Sequence, residues 1–246
     1  VTERPILFSA PMVRAILLGK KTQTRRVVDL SGRRVSHRCA TDCSGVLPEA
    51  VFPDRGFSAS GWEYLHLPCK DGAAQRVRCP QGPPGECLWV RETFQLESNF
   101  NIDGPEVYPP PFSDGRPIKW EDTGDLAGRV WWQPHYRATD PDPELSCERD
   151  DCSNDGPHGH WSPSIYMPRW ASRITLEVTA VRVQRLQEIT EDDARAEGVP
   201  VRSYEDGRGV ETSREGFRAF WDSINGKRAP WSSNPWVWAI SFRRVI

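Results

Sequence analysis

A chain of 246 residues, 37% hydrophobic and 27% charged, suits one globular domain or one domain with large insertions. Its net charge of −2 excludes a global field that would draw it onto nucleic acid, and no apolar run reaches the ~18 residues of a membrane span. No apolar leader is visible, so the cytoplasm is the expected compartment and the seven cysteines are expected as reduced thiols or metal ligands.

In chain order, Ile6-Leu7-Phe8 reads as a short apolar strand. Ser9 can cap a helix, Pro11 suits its first turn, and Met12, Ala15, Ile16 and Leu17 recur at helical spacing. Gly19 is the expected stop, because glycine tolerates the left-handed geometry past a helix end. The run Gly19-Lys20-Lys21-Thr22-Gln23-Thr24-Arg25-Arg26 then packs four cations and two hydroxyls into eight residues. No core needs such a run, so it predicts a helix end that offers positive charge to an anionic or polar ligand. The helix dipole alone would also favour Lys20 and Lys21 there.

Charge is unevenly distributed. Residues 1–40 carry nine Lys/Arg against Glu3 and Asp29, whereas residues 97–160 carry fourteen Asp/Glu against five Lys/Arg. This fits a basic binding face beside an acidic insertion, or ordinary surface charge.

Residues 31–78 read as irregular, rich in Gly, Ser and Pro. Gly85 to Glu92 reads as a turn followed by a strand. Residues 95–128 read as loop, Val130 to Ala138 as an aromatic strand weakened by Pro134, and 140–160 as an acidic loop. Ile174 to Val183 has the β-branched content of a strand. Thr190-Glu191-Asp192-Asp193 predicts a capped helix running to Gly198. Ser213 is the expected cap of a second helix, with Phe217, Phe220, Trp221 and Ile224 on one face. Pro235 to Val245 closes the chain as a strand. Short strands separated by short helices imply an α+β fold, a small β-barrel with flanking helices, in a single domain 1–246 with long loop insertions at about 31–78 and 95–160.

The Gly19–Arg26 run, the Gly85-Glu86-Cys87-Leu88-Trp89-Val90 turn and strand, the Thr190–Glu197 helix and the Trp/Phe-rich final strand resemble the ASCH domain family. The closest likeness is to the larger phage and prophage ASCH proteins, through Arg4 to Ser9 and Met167 to Arg173. It covers the core outside the insertions. The family more often has Asp where Glu86 stands. The resemblance implies a PUA-like barrel and an association with RNA. Small ASCH amidohydrolases that deacetylate N4-acetylcytidine carry a Lys, a Thr three residues later and a Glu on a later helix. The matching positions are Lys21, Thr24 and Glu197.

Amide hydrolysis needs an activated nucleophile, and a threonine hydroxyl is a poor one until a base takes its proton. Lys21 can be that base if burial or neighbouring cations lower its pKa from ~10.4. Glu197 would orient it or carry a proton to the leaving amine, although a carboxylate also favours the charged lysine. No cofactor is needed for this chemistry. The plainer alternatives are a structural Lys21–Glu197 salt bridge and a Thr24 that is simply a strand residue. Lys20, Arg25, Arg26 and Trp170 are the candidate nucleic-acid contacts, against a solvated strand edge for the arginines. Among the eleven tryptophans, Trp89, Trp221, Trp236 and Trp238 are expected in the core, while Trp131, Trp132, Trp161 and Trp170 flank irregular segments where a base could stack. The expected partner is RNA, single-stranded DNA or a modified cytidine nucleoside. A non-catalytic binding module and a ribonuclease are the competing functions.

Cys147, Cys152, His158 and His160 place four zinc-type ligands in the acidic loop, so a structural zinc is the candidate metal. His37, Cys39 and Cys43 form a second group, and Cys69, Cys79 and Cys87 a third. The alternative is reduced cysteines packed as small apolar residues.

Overall fold

The computed structural model describes residues 2–28, 54–57, 63–68, 74–99, 119–122, 129–141, 161–200, 203–204 and 209–245. The chain divides into two compact units. The first takes Val1–Arg4, Ala15–Leu88 and Leu176–Arg244; the second takes Pro5–Arg14, Trp89–Thr175 and Val245–Ile246. In chain order the elements are β1 (Glu3–Leu7), α1 (Ala10–Leu17), β2 (Gln23–Val27), β3 (Asp54–Phe57), β4 (Glu63–Pro68), β5 (Ala74–Val77), β6 (Cys87–Arg91) and β7 (Phe94–Asn99). There follow β8 (Lys119–Asp122), β9 (Arg129–Tyr136), β10 (Thr175–Arg185), α2 (Glu191–Ala196), β11 (Ser203–Tyr204), β12 (Gly209–Val210), α3 (Ser213–Asn225) and β13 (Trp236–Arg244). The fold is mixed α+β, mainly sheet with few helices.

The largest sheet has the order β1-β6-β10-β13-β2, so β2 is an edge strand. Among the described residues it does not close into a barrel. β10 and β13 pair antiparallel over most of their length, with a bulge between Val178 and Ala180 that absorbs Thr179. β13 pairs antiparallel with β2, setting Trp238 opposite Arg26 and Ile240 opposite Thr24.

The core of the first unit gathers Leu186, Ile189, Ala194, Phe217, Trp221, Trp231 and Val237. Phe217 meets Trp221 with ring centroids 6.0 Å apart and Trp231 at 6.3 Å in an edge-on arrangement. Such aromatic pairs add about 0.5–1.5 kcal/mol each beyond burial. Trp221 and Trp238 are buried as expected, and so is Trp89 of the second unit, but Trp236, also expected in the core, is half-buried under the Arg185 guanidinium. Helix α3 begins one residue earlier than the Ser213 cap predicts. Thr212 is the cap, and it forms a reciprocal box with Glu215 (Glu215 N to Thr212 Oγ1, 3.2 Å; Thr212 N to Glu215 Oε2, 2.8 Å). Ile224 is not on the buried face; it is 61% exposed.

The segment 31–78 is not wholly irregular. β3, β4 and β5 form a three-stranded antiparallel sheet there. Its period-2 signal, Leu65 and Leu67 between Tyr64 and His66, spans only a few residues among Gly and Pro, too short to stand out in sequence.

In the second unit the sheet order is β7-β9-β8, so two further strands lie inside the 95–160 insertion. Pro134 is tolerated because it pairs with Leu96 of β7 at a point past the end of β8, whose first residue Lys119 meets Trp132. Phe94, Tyr136, Met167 and Ala171 form this unit's core, with Leu96 and Trp170 packed on it. Buried Glu92 accepts two 2.9 Å bonds from Arg173, whose guanidinium stacks 4.0 Å over Tyr136. No helix among the described residues is long and apolar enough to cross a membrane.

Candidate functional site

The basic run is shaped by the end of α1. Gly19 takes φ +69°, and the amides of Lys20 and Lys21 both donate to Ala15 O, at 2.8 and 3.0 Å. This turn reverses the chain and leads it into β2, so Lys20 is exposed while Lys21 turns inward. Thr22 N donates to Ala196 O at 2.9 Å, which ties the start of β2 to the C-terminal end of α2. Thr190 caps the other end of α2 by accepting from Asp193 N at 3.1 Å.

Lys21 Nζ makes three 2.8 Å hydrogen bonds, to Gln23 O, Glu197 O and Glu197 Oε2. The second carboxylate oxygen, Oε1, accepts from Arg25 Nη1 at 3.0 Å. Arg25 also donates to Gln23 Oε1 (2.6 Å) and, through Nη2, to Asp193 Oδ2 (2.8 Å). Asp193 is held in turn by Gln23 Nε2 at 3.2 Å and Arg182 Nη2 at 2.9 Å. Lys21, Arg25 and Glu197 are 3%, 5% and 2% exposed, so this is an internal charge network. The guanidinium of Arg25 lies 5.8 Å from the Phe217 ring centroid, which joins the network to the aromatic core.

Burial pushes the Lys21 ammonium below its ordinary 10.5, because desolvation penalises charge. Glu197 opposes that shift, and the nearby Arg26 and Arg25 reinforce it. Asp193 is held below its ordinary 3.8. Burial works to raise it, but Arg25 and Arg182, with hydrogen bonds from Arg182 and Gln23, outweigh burial. Gly198, at φ +70°, sits tight against the site: a Cβ there would stand 2.8 Å from Lys21 Cβ and 3.0 Å from Ala15 Cβ.

The structure thus brings Lys21 and Glu197 into contact and adds Arg25, Asp193 and Gln23 to them. Gln23 and Arg25 both reach α2, so they share one face of β2. Thr24 between them takes the opposite face by strand alternation, and it is buried. Arg25 is an internal ion-pair partner rather than a surface cation. Arg26 is half-buried and Lys20 exposed. Trp170 belongs to the second unit and is half-buried against its core. Asp193 and Gln23 drew no functional expectation from sequence, where Asp193 reads as part of a helix cap and Gln23 as an uncharged residue of the basic run.

Cys147, Cys152, His158 and His160 lie outside the described residues, as do His37, Cys39, Cys43 and Cys69. Among the described residues, no group of three or more His, Cys, Asp or Glu is placed to hold a metal ion. Cys79 is buried, its thiol pushed up to about 12 chiefly by desolvation, and its Sγ donates to Gln81 Oε1 at 3.4 Å. It packs as an inert thiol. Compared with protein-family models, characterised proteins and solved structures, the chain matches none of them.

Proposed function

We propose that the chain is an ASCH-like, PUA-like amidohydrolase that removes an acyl group from the exocyclic amine of an N4-acylated cytidine. One observation carries the reading: Lys21 is buried and paired with Glu197, and burial lowers the pKa of its ammonium from the ordinary 10.5. A neutral lysine amine is a competent general base, whereas an exposed ammonium is not. In the proposed step Thr24 Oγ1 gives its proton to Lys21 Nζ and attacks the acyl carbon. The tetrahedral adduct then expels the exocyclic nitrogen, which takes a proton from the Lys21 ammonium. Water hydrolyses the acyl-threonine and frees the carboxylic acid. Thr24 lies on the face of β2 opposite the groups that hold Lys21. The step therefore requires the edge strand β2 to turn Thr24 toward Nζ and Lys21 to give up one of its three acceptor contacts, while Arg25 keeps Glu197 in place. The reaction needs no cofactor and suits a cytoplasmic setting.

The test is release of cytidine from N4-acetylcytidine by the purified chain. Activity is expected in the wild type and lost in Lys21→Ala, Glu197→Ala and Thr24→Val, the last of which keeps the shape of the side chain without its hydroxyl. No turnover across a panel of N4-acylated cytosines would remove the reading.

A second reading rests on the complete hydrogen bonding of Lys21: the network is a clasp that closes α2 on β2, and the protein is a binding module for RNA or single-stranded DNA. With Arg25 internal, Lys20 and Arg26 are the phosphate contacts from this run. Two such contacts give a slope of log K against log salt of about −1.4. A steeper slope would require cations from elsewhere in the chain.

A further inference from the structure

A cavity of about 350 Å³ lies in the first unit beside the C-terminal end of β2. That is within the range of small-molecule sites, ~300–1,000 Å³. Its lining has a definite chemistry. Arg26 and Arg228 supply cations, Gln81 and Asn225 supply amides, and Trp238 and Ala229 are part of an apolar wall. Among the described residues, no carboxylate lines it.

The walls are fixed before any ligand arrives. Arg26 is in register with Trp238, which is buried in β13. The turn after α3 is pinned by Arg228 N and Ala229 N, which both donate to Asn225 O at 2.9 and 2.8 Å. Trp221 Nε1 donates to Ala229 O at 2.8 Å. On the remaining side, Gln81 Oε1 accepts from buried Cys79 Sγ, and Gly82 N donates to Cys79 O. A rigid concave site loses little affinity to ordering on binding.

We propose that this cavity binds a free nucleoside 5′-monophosphate. Paired guanidinium groups recognise a phosphomonoester through charge-assisted, bidentate hydrogen bonds. Asn and Gln amides present a donor and an acceptor together, which matches the edge of a nucleobase. Val27 and Pro80, the exposed apolar members of the lining, take the flat face of the ring. A lining without carboxylates spares a dianion the repulsion it would otherwise meet. No hydrogen-bonding member of the Lys21–Glu197 network lines this site, although Arg26 is near enough to act on the Lys21 charge, and its occupancy does not depend on hydrolysis there.

The test is titration calorimetry of the full chain with cytidine 5′-monophosphate and, separately, with cytidine. The monophosphate is expected to bind roughly tenfold or more tightly than the nucleoside, the difference one charge-assisted contact makes. Arg228 is exposed and outside the core, so Arg228→Ala is expected to fold normally, as circular dichroism will check, and to abolish that preference. Equal affinities for the two probes would overturn the proposal. So would retention of the preference in Arg228→Ala, failure of the monophosphate to bind at millimolar concentration, or binding of a 5′-phosphorylated oligonucleotide where the monophosphate does not bind.

Discussion

Lys21 Nζ meets Glu197 twice, at the side-chain Oε2 and at the backbone carbonyl, each at 2.8 Å. The residues lie 176 positions apart in sequence. The first contact neutralises a buried charge. The second satisfies a carbonyl at the end of α2, which has no partner within the helix. One ammonium therefore serves both as an ion-pair partner and as a cap, and its acidity and the stability of the unit are coupled.

The titration of Lys21 follows with a defined sign. Its folded pKa lies below 10.5, so folding disfavours the charged form. That cost is present at low pH and is relieved as pH rises from the folded pKa to 10.5. Nitrogen-resolved NMR of labelled lysine is expected to find Lys21 titrating below the other lysines. Arg25→Gln removes a repelling cation and should raise the value. Glu197→Gln removes the attracting carboxylate and should lower it further. A fall in Arg25→Gln together with a rise in Glu197→Gln would show that burial and charge are not the causes.

Breaking the pair should be costly. Glu197→Ala leaves Lys21 and Arg25 buried without their shared carboxylate. Removal of one partner of a buried ion pair costs about 3–5 kcal/mol. Denaturant unfolding of the variant is expected to show a loss of this size, and a loss below about 1 kcal/mol would mean that water enters the site.

Asp193 should set part of the acid limb. Its folded pKa lies below 3.8, so its contribution is present above 3.8 and lost as pH falls through the folded value. Stability measured from pH 2 to 5 is expected to fall less steeply in Asp193→Asn than in the wild type. Because the residue is half-buried, the difference will be partly screened.

Two glycines with nearly the same backbone should respond differently. At Gly19 (φ +69°) an added methyl would find no atom within 4 Å, whereas at Gly198 (φ +70°) it would meet Lys21 Cβ at 2.8 Å. Gly19→Ala should cost only the left-handed strain, about 1–2 kcal/mol. Gly198→Ala adds overpacking, typically another 1–3 kcal/mol, and should perturb the Lys21 resonance. Equal costs by thermal unfolding would count against this packing.

The cap of α3 can be tested by a neighbouring pair. Thr212→Ala removes the reciprocal box and should lower stability by about 0.5–2 kcal/mol. Ser213→Ala, one residue on and already helical, should change it by no more than about 0.5 kcal/mol.

Local signals determined much of the first unit. Gly19 and Gly198 mark helix ends because only glycine enters the left-handed region without penalty, and both adopt it. Thr190 with Asp193 announced the start of α2, and the β-branched run of β10 and the aromatic run of β13 announced strands. These are short-range effects of backbone preference and capping, so they can be read from neighbours in sequence. The pairing of Lys21 with Glu197 was visible only through a family resemblance, as two residue types at matching positions. What the tertiary structure alone decided was the fate of the cations. Arg25 and Arg26 are adjacent and chemically alike, yet strand alternation sends them to opposite faces of β2. The carboxylates of Asp193 and Glu197 hydrogen-bond to Arg25, which is drawn inside, while Arg26 lines a cavity. Sequence gives the charge of a side chain, but its burial depends on which element packs against that face of the strand.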